Sequence, residues 1–401
     1  MIAPGTTWHI EPQTRLTRSL KGWSEKERSG QFHIVGILHG EGIGPEIIQA
    51  SKPLLDVIEA HTEHRFELRY GGKIGIDAEK ETGQGLTEEV VQFCTNIFDD
   101  HGAIICGPAS GRFVYELRTS FDLYCKMVPL RPITALSNTG VLKPEAVAQV
   151  DILIIRENIG GLYQSDFGFE KKSGYRRAFH HIYYDDAQVS RIMQVAINVA
   201  DMRQKKLCVV IKTGGAPAIS ELWQDNAEQL AHTSDVEVKM LAIDTACYQL
   251  LADAQNFDVI VAPNMFGDVL ADGAALLLGS RGMSCSANYA NNGIAVYQTG
   301  HGAAYDLAGM DQANPLGQIQ SLAMMLGESF RLGRLCEEIR GAINDTLSAG
   351  WRTPDIMASG CKVVGTRELG QRITEALDFR LTHVKTHSTQ NVTPLIASTH
   401  E

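Results

Sequence analysis

The chain has 401 residues, and its 36 Lys and Arg against 47 Asp and Glu give a formal charge of -11. The length suits one large domain or two to three modest ones, and the acidic balance argues against nucleic acid as a partner. No apolar run nears the ~18 residues of a membrane span, and no repeat period suggests a solenoid.

In chain order, residues 1–30 lack the apolar stretch of a secretory signal. Arg15, Arg18 and Lys21 leave a transit peptide as the weaker reading of this segment, and the plainer one is a frayed extension. A β-branched run at 32–38 then leads through Gly40-Glu41-Gly42-Ile43-Gly44-Pro45 into a helical pattern at 45–61. Strand patterns return at 103–107, 151–157, 206–212, 236–243, 257–263 and 293–299, with helical patterns at 185–202, 219–231 and 315–332. Alternation of this kind predicts an α/β fold on a largely parallel sheet. Residues 379–401, rich in Thr, Ser and His, read as a mobile tail. The eight cysteines are well separated and form no CxxC pair, which predicts buried thiols and a cytoplasmic, reducing setting.

The glycine turn at 40–44 invites a dinucleotide-fold reading, but Pro45 stands where that fingerprint needs its third glycine. Proline is a good first helical residue, so the turn is either a plain strand-to-helix corner or a set of amides offered to a ligand. Further on, Asp268 and Asp272 lie four apart where a helix begins near Gly267, so they share one face. Asp244 ends the strand pattern at 236–243, and α/β proteins build sites at the carboxyl ends of strands. All-oxygen ligation favours Mg2+ or Mn2+ over zinc, while a helix cap plus a solvated acid is the competing account. Arg156 before Gly160-Gly161, and Arg118 near a helix end, suit a bidentate grip on a carboxylate. Lys212 closes a strand, where partial desolvation would bring its pKa toward that of a general base. The loop from His301 and Gly302 to Asp306, with Asn314 beyond it, has small residues that let a ligand approach and an acid able to accept ribose hydroxyls. For each basic residue alone a surface ion pair is the commoner explanation, and for the loop a structural turn is the competing account.

Taken together and in order, these segments resemble the metal-dependent β-decarboxylating dehydrogenases, the isocitrate and isopropylmalate dehydrogenase family. The similarity runs from about Phe32 to Leu377 and includes Tyr70-Gly71-Gly72, Arg118–Tyr124, Arg156–Tyr163, Asn264–Asp272, Arg352-Thr353-Pro354-Asp355 and Gly365–Gly370. The resemblance implies an isopropylmalate-dehydrogenase-like α/β fold of two domains, not a Rossmann fold. Residues 31–124 and 280–378 would form the large cofactor-binding domain and 125–279 a smaller one with the dimer contacts, with 1–30 and 379–401 as extensions. It places Asp268 and Asp272 on the family's metal aspartates and Asp244 on a third that reaches in from the partner subunit. Tyr163 and Lys212 fall on the catalytic pair, with the lysine likewise crossing between subunits of a homodimer. Arg118 and Arg156 fall on carboxylate-binding arginines. His301, Gly302 and Asp306 fall on the adenosine-binding loop, and Asn314 near the adenine.

The resemblance thus implies NAD- and metal-dependent oxidation of a substituted malate, with loss of CO2 from the resulting 3-carboxy-2-oxo acid. Asp306 and Leu307 stand where relatives that use NADP place Lys and Tyr, so NAD is expected. Departures are also plain: Val128 stands where a second substrate arginine is usual, and Lys126 replaces an asparagine. Gly214 replaces an asparagine, Glu41 an aspartate and Tyr305 a proline. The loop at 108–116 matches neither the isocitrate nor the isopropylmalate pattern. Two other readings follow: a tartrate- or malate-type dehydrogenase without decarboxylation, and a non-catalytic regulatory subunit, which Val128 favours.

Overall fold

Runs of Val, Ile and Leu without polar alternation need cover on both faces, and here they form the middle of one large sheet. In this computed structural model residues 15–23 and 30–389 are described, with side chains through 383. Most of the segment read as a possible transit peptide, and residues 390–401, therefore lie outside the described residues. The strands are β1 (Phe32–Leu38), β2 (Arg65–Tyr70), β3 (Ala103–Cys106), β4 (Cys125–Leu130), β5 (Ile152–Glu157), β6 (Asp166–Lys172), β7 (Tyr175–His181), β8 (Lys206–Ile211), β9 (Glu237–Ala242), β10 (Val259–Ala262), β11 (Cys285–Tyr289) and β12 (Ala295–Thr299).

Ten of these make a sheet in the order β2-β1-β3-β12-β11-β4-β5-β10-β8-β9, and β6 with β7 forms a separate hairpin. The first five in that order come from both ends of the chain and the last five from its middle. Pairing is parallel except where β12, β11, β4 and β5 meet in antiparallel register. β5, β10, β8 and β9 are mutually parallel, so their carboxyl ends share one edge. Strands β2, β4 and β11 carry too many polar residues, or a proline in β4, to have shown a strand pattern. The pattern at 45–61 resolves into two helices, Gly44–Ser51 and Pro53–His61, the second opened by Pro53.

Both chain ends depart from expectation. Residues 15–23 are not frayed: Thr17, Leu20 and Trp23 are buried, and Trp23 donates through Nε1 to the Ala290 carbonyl at 2.8 Å. The buried Glu328 carboxylate accepts from the amides of Leu16 and Thr17 and from the Thr17 hydroxyl. At the other end, the helix Thr366–Thr389 runs past the expected break at Phe379. Leu381 is buried there, and Arg380 bridges Glu338 and Asp345. All eight cysteines are free thiols. Among the described residues no helix is long and apolar enough to cross a membrane.

Candidate active site

β10 ends at Ala262, and the helix Asn264–Ala274 starts almost at once, three residues earlier than the sequence suggested. This places Asp268 and Asp272 one turn apart beside Arg156, the last residue but one of β5. Gly267, just before Asp268, packs against Arg156, where a Cβ would come within 2.9 Å of the Arg156 Cβ. Arg156 is buried, ion-paired to Asp268, and donates through Nε and Nη2 to Asn264 Oδ1 at 2.9 and 2.7 Å. Asn264 is itself fully buried; its side-chain amide donates to the Gly160 carbonyl and its backbone amide to the Tyr184 hydroxyl. Gly161 adopts φ +68, and a Cβ on it would lie 2.3 Å from that hydroxyl. The Gly160-Gly161 pair thus makes room for Tyr184 rather than for a ligand. Motif reading missed Asn264 and Tyr184, although Asn264 opens the acidic segment and was in view.

Tyr163 lies over the same cluster, with Arg156 5.6 Å from its ring centroid. Burial and the nearby Asp268 carboxylate raise its phenol pKa. Arg118, in the helix Phe113–Ser120, is buried, and its Nε and Nη1 have no hydrogen-bond partner among the described residues. Burial, then Arg156, pushes its pKa down to about 9. Lys126 of β4 is also buried, and burial with Arg118 and Arg156 pushes it down to about 7. Burial pushes Asp268 up, but Arg156, Lys126 and Arg118 outweigh it and hold the carboxyl below its usual range. Asp272, ion-paired to Arg281, is raised by burial and by Asp268.

Lys212 and Asp244 do not join this group within one chain. They form their own ion pair at 2.7 Å, with side chains 39% and 67% exposed, so Lys212 is only partly withdrawn from water within one chain. Asp244 lies in the first turn of the helix Ile243–Ala252, just past β9, and its hydrogen bond from Lys212 lowers its pKa. Among the described residues no three His, Cys, Asp or Glu side chains gather closely enough to hold a metal ion.

The loop from His301 borders the acidic pair: Arg281, Asp355 and Asp272 all act on the imidazole, whose pKa burial lowers. His301 Nε2 is buried without a hydrogen-bond partner among the described residues, and Gly302 leaves open space where a Cβ would stand. Asp306 is exposed. Asn314 is engaged: its amide donates to Asp355 and its carbonyl accepts from the Leu316 amide. The glycine turn is a corner, with the amides of Glu41 and Ile43 bonded to the Pro108 and Ala303 carbonyls. Glu41, buried, also accepts from the amides of Asp77 and Ser110 and from the Tyr305 hydroxyl. Val128 faces Ile154 in the core, and Arg131 is committed to Asp151, so neither reaches the cluster.

Fold and site define an α/β protein with a cluster of opposed charges at the carboxyl edge of its sheet. A family model described as isocitrate/isopropylmalate dehydrogenase matches residues 34–373. The 3-isopropylmalate dehydrogenase of Synechococcus sp. (strain JA-3-3Ab) is 36% identical over 358 residues, 85% of this chain and 92% of that protein. The 3-isopropylmalate dehydrogenase of Aquifex aeolicus (strain VF5) is 36% identical over 359 residues, 86% and 97% of the two chains. The solved isocitrate dehydrogenase from Methylococcus capsulatus superposes with a TM-score of 0.76 at 26% identity, covering 86% of this chain and 99% of that one. The chain belongs to the isocitrate/isopropylmalate dehydrogenase family.

Proposed function

We propose that the protein is an NAD- and divalent-metal-dependent dehydrogenase that oxidatively decarboxylates a substituted malate, working as a cytoplasmic homodimer with shared sites. The observation that carries this reading is the convergence of buried Arg118 and Arg156 with Asp268, Asp272 and Tyr163. Arginine donors left open in a buried place call for an anion, and paired carboxylates with no soft ligand nearby suit Mg2+ or Mn2+. Asp268 and Asp272, with Asp244 from a partner subunit, would hold that ion, which supplies Lewis-acid polarisation of the substrate oxygen. NAD supplies the hydride acceptor; the open Nε2 of His301 and the space at Gly302 fit an adenosine, and exposed Asp306 would repel a 2′-phosphate.

Arg118 and Arg156 hold the substrate's carboxylate and fix its orientation. Lys212 accepts the 2-hydroxyl proton as C2 is oxidised. Tyr163 then donates its phenolic proton to the carbon that CO2 has left, and its raised pKa keeps that proton in place until then. Two features support sharing between subunits. Lys212 and Asp244 stand exposed at the carboxyl edge, and the β6–β7 hairpin carries Phe167, Phe169 and Tyr175 on its surface.

Incubating the purified chain with NAD, Mn2+ and a panel of substituted malates, and following NADH and CO2 together, tests the reading. Equal yields of both are expected. NADH without CO2 points instead to a tartrate- or malate-type dehydrogenase. No turnover on any substrate points to a regulatory subunit, the reading that the apolar burial of Val128 favours.

A further inference from the structure

Lys126 carries a role that the family pattern does not assign. β4 and β5 pair antiparallel with Lys126 directly opposite Arg156, and β11 places Asn288 on its other side. Directly opposed side chains share a face about 5 Å apart, and like charges so placed repel. Both are buried, Lys126 8% and Arg156 2% exposed, and Arg118 brings a third cation at 5%. Arg156 is matched by Asp268, but the Lys126 ammonium has no hydrogen bond or ion pair within 4 Å among the described residues. Arg118 leaves Nε and Nη1 open. Asp268 and Asp272 lie near enough to act on Lys126 but make no direct bond to it, and water does not answer two buried cations without direct partners as well as an anion does.

We propose that Lys126 binds a carboxylate of the substrate, completing with Arg118 and Arg156 a three-cation cradle. The inference rests on the substrate class proposed above. Residues 126 and 128 share a face of β4, two positions apart along the strand. The cradle therefore takes its third charge at 126, next to Arg156, while 128 is left to the apolar core. An ammonium gives a point charge in place of a planar fork, so it grips the carboxylate without fixing its plane.

The test uses the full-length protein with Mn2+ and calorimetric titration of 3-isopropylmalate, isocitrate, D-malate and tartrate. Lys126→Met removes the charge at similar length, and Lys126→Asn serves as a second variant should the first fail to fold. Either is expected to weaken binding of the acids that wild type binds by roughly 10- to 100-fold, as loss of a charged hydrogen bond does. KM rises by the same factor with kcat within a few-fold, and Lys126→Arg restores most of the affinity. Unchanged affinity in Lys126→Met and Lys126→Asn overturns the inference. So does tighter Mn2+ binding with unchanged acid binding, which would make the lysine a guard of the acidic pair. Wild type that binds none of the four acids overturns the substrate class itself, and the inference with it.

Discussion

Asn264 shows how a side chain that touches no reactant can set the geometry of one that does. It accepts two hydrogen bonds from Arg156 and returns one to the Gly160 carbonyl, so the guanidinium is held at a fixed angle to Asp268. Asn264→Ala is expected to lower kcat/KM about 100-fold, the usual cost of a displaced positioning group, and to destabilise the fold by about 1–3 kcal/mol. Steady-state kinetics and urea unfolding of the same variant read the two effects. In the loop from His301, which the proposed function assigns to NAD, replacing Asp306 with Lys and Leu307 with Tyr is expected to shift preference from NAD toward NADP. Unchanged selectivity in that double variant would remove the electrostatic argument for NAD. These residues differ in how readily the sequence shows them. Asp268, Asp272 and Arg156 were legible because short spacing and a strand end fix their place. Tyr184 was not, since its contact with Asn264 spans 80 positions and depends on two glycines being small.

Elements were legible where hydrophobic period ruled and obscure where burial came from distant partners. β5, β8 and β10 are near-continuous apolar runs, and their parallel, doubly covered setting follows from that alone. β4 hides because Lys126 and Pro129 interrupt it, although its pairing with β5 is what sets Lys126 against Arg156. The anchored segment 15–23 could not be read either, as its cover is the carboxylate of Glu328, some 310 positions on. Trp23 packs edge-on to Tyr289 at 5.4 Å and reaches the Ala290 carbonyl. Trp23→Ala is expected to cost about 3–5 kcal/mol, seen as a lower denaturant midpoint with an unchanged KM. The start of β5 is pinned by another device: Asp151 joins Arg131 and Arg203, and Arg203 also holds buried Asp258. Burial raises the Asp151 pKa, but the two arginines bring it below its ordinary 3.8. Its contribution is therefore complete above that value and is lost as pH falls through the lower, folded value. Urea midpoints recorded from pH about 5 down to about 3 should fall, and Asp151→Asn should flatten that acid limb.

At the scale of the whole molecule, one chain holds the proposed catalytic residues in two separate groups. Arg118, Arg156, Tyr163, Asp268 and Asp272 form one, and Lys212 with Asp244 the other. No spacing in the sequence could reveal that separation, and under the proposed function a second subunit would have to bring the two groups together. Mixing tests it. Tyr163→Phe and Lys212→Ala homodimers should each lose about 100- to 10000-fold in kcat. Coexpressed, they should recover about one quarter of wild-type activity, because half of the dimers are mixed and each mixed dimer keeps one whole site. If tyrosine and lysine act within one subunit, mixing recovers nothing.

Glu41 ties three remote stretches of chain to one carboxylate: the helix after Gly75, the turn at Ser110 and the loop at Tyr305. The turn at Ser110 and the loop at Tyr305 thereby hang from a common hinge pin. If the proposed function holds, a variant altered at residues 109–112 to take a new acid should also change its affinity for NAD, though the loop at Tyr305 was left untouched. Shortening the pin by one methylene, as in Glu41→Asp, should loosen both doors at once.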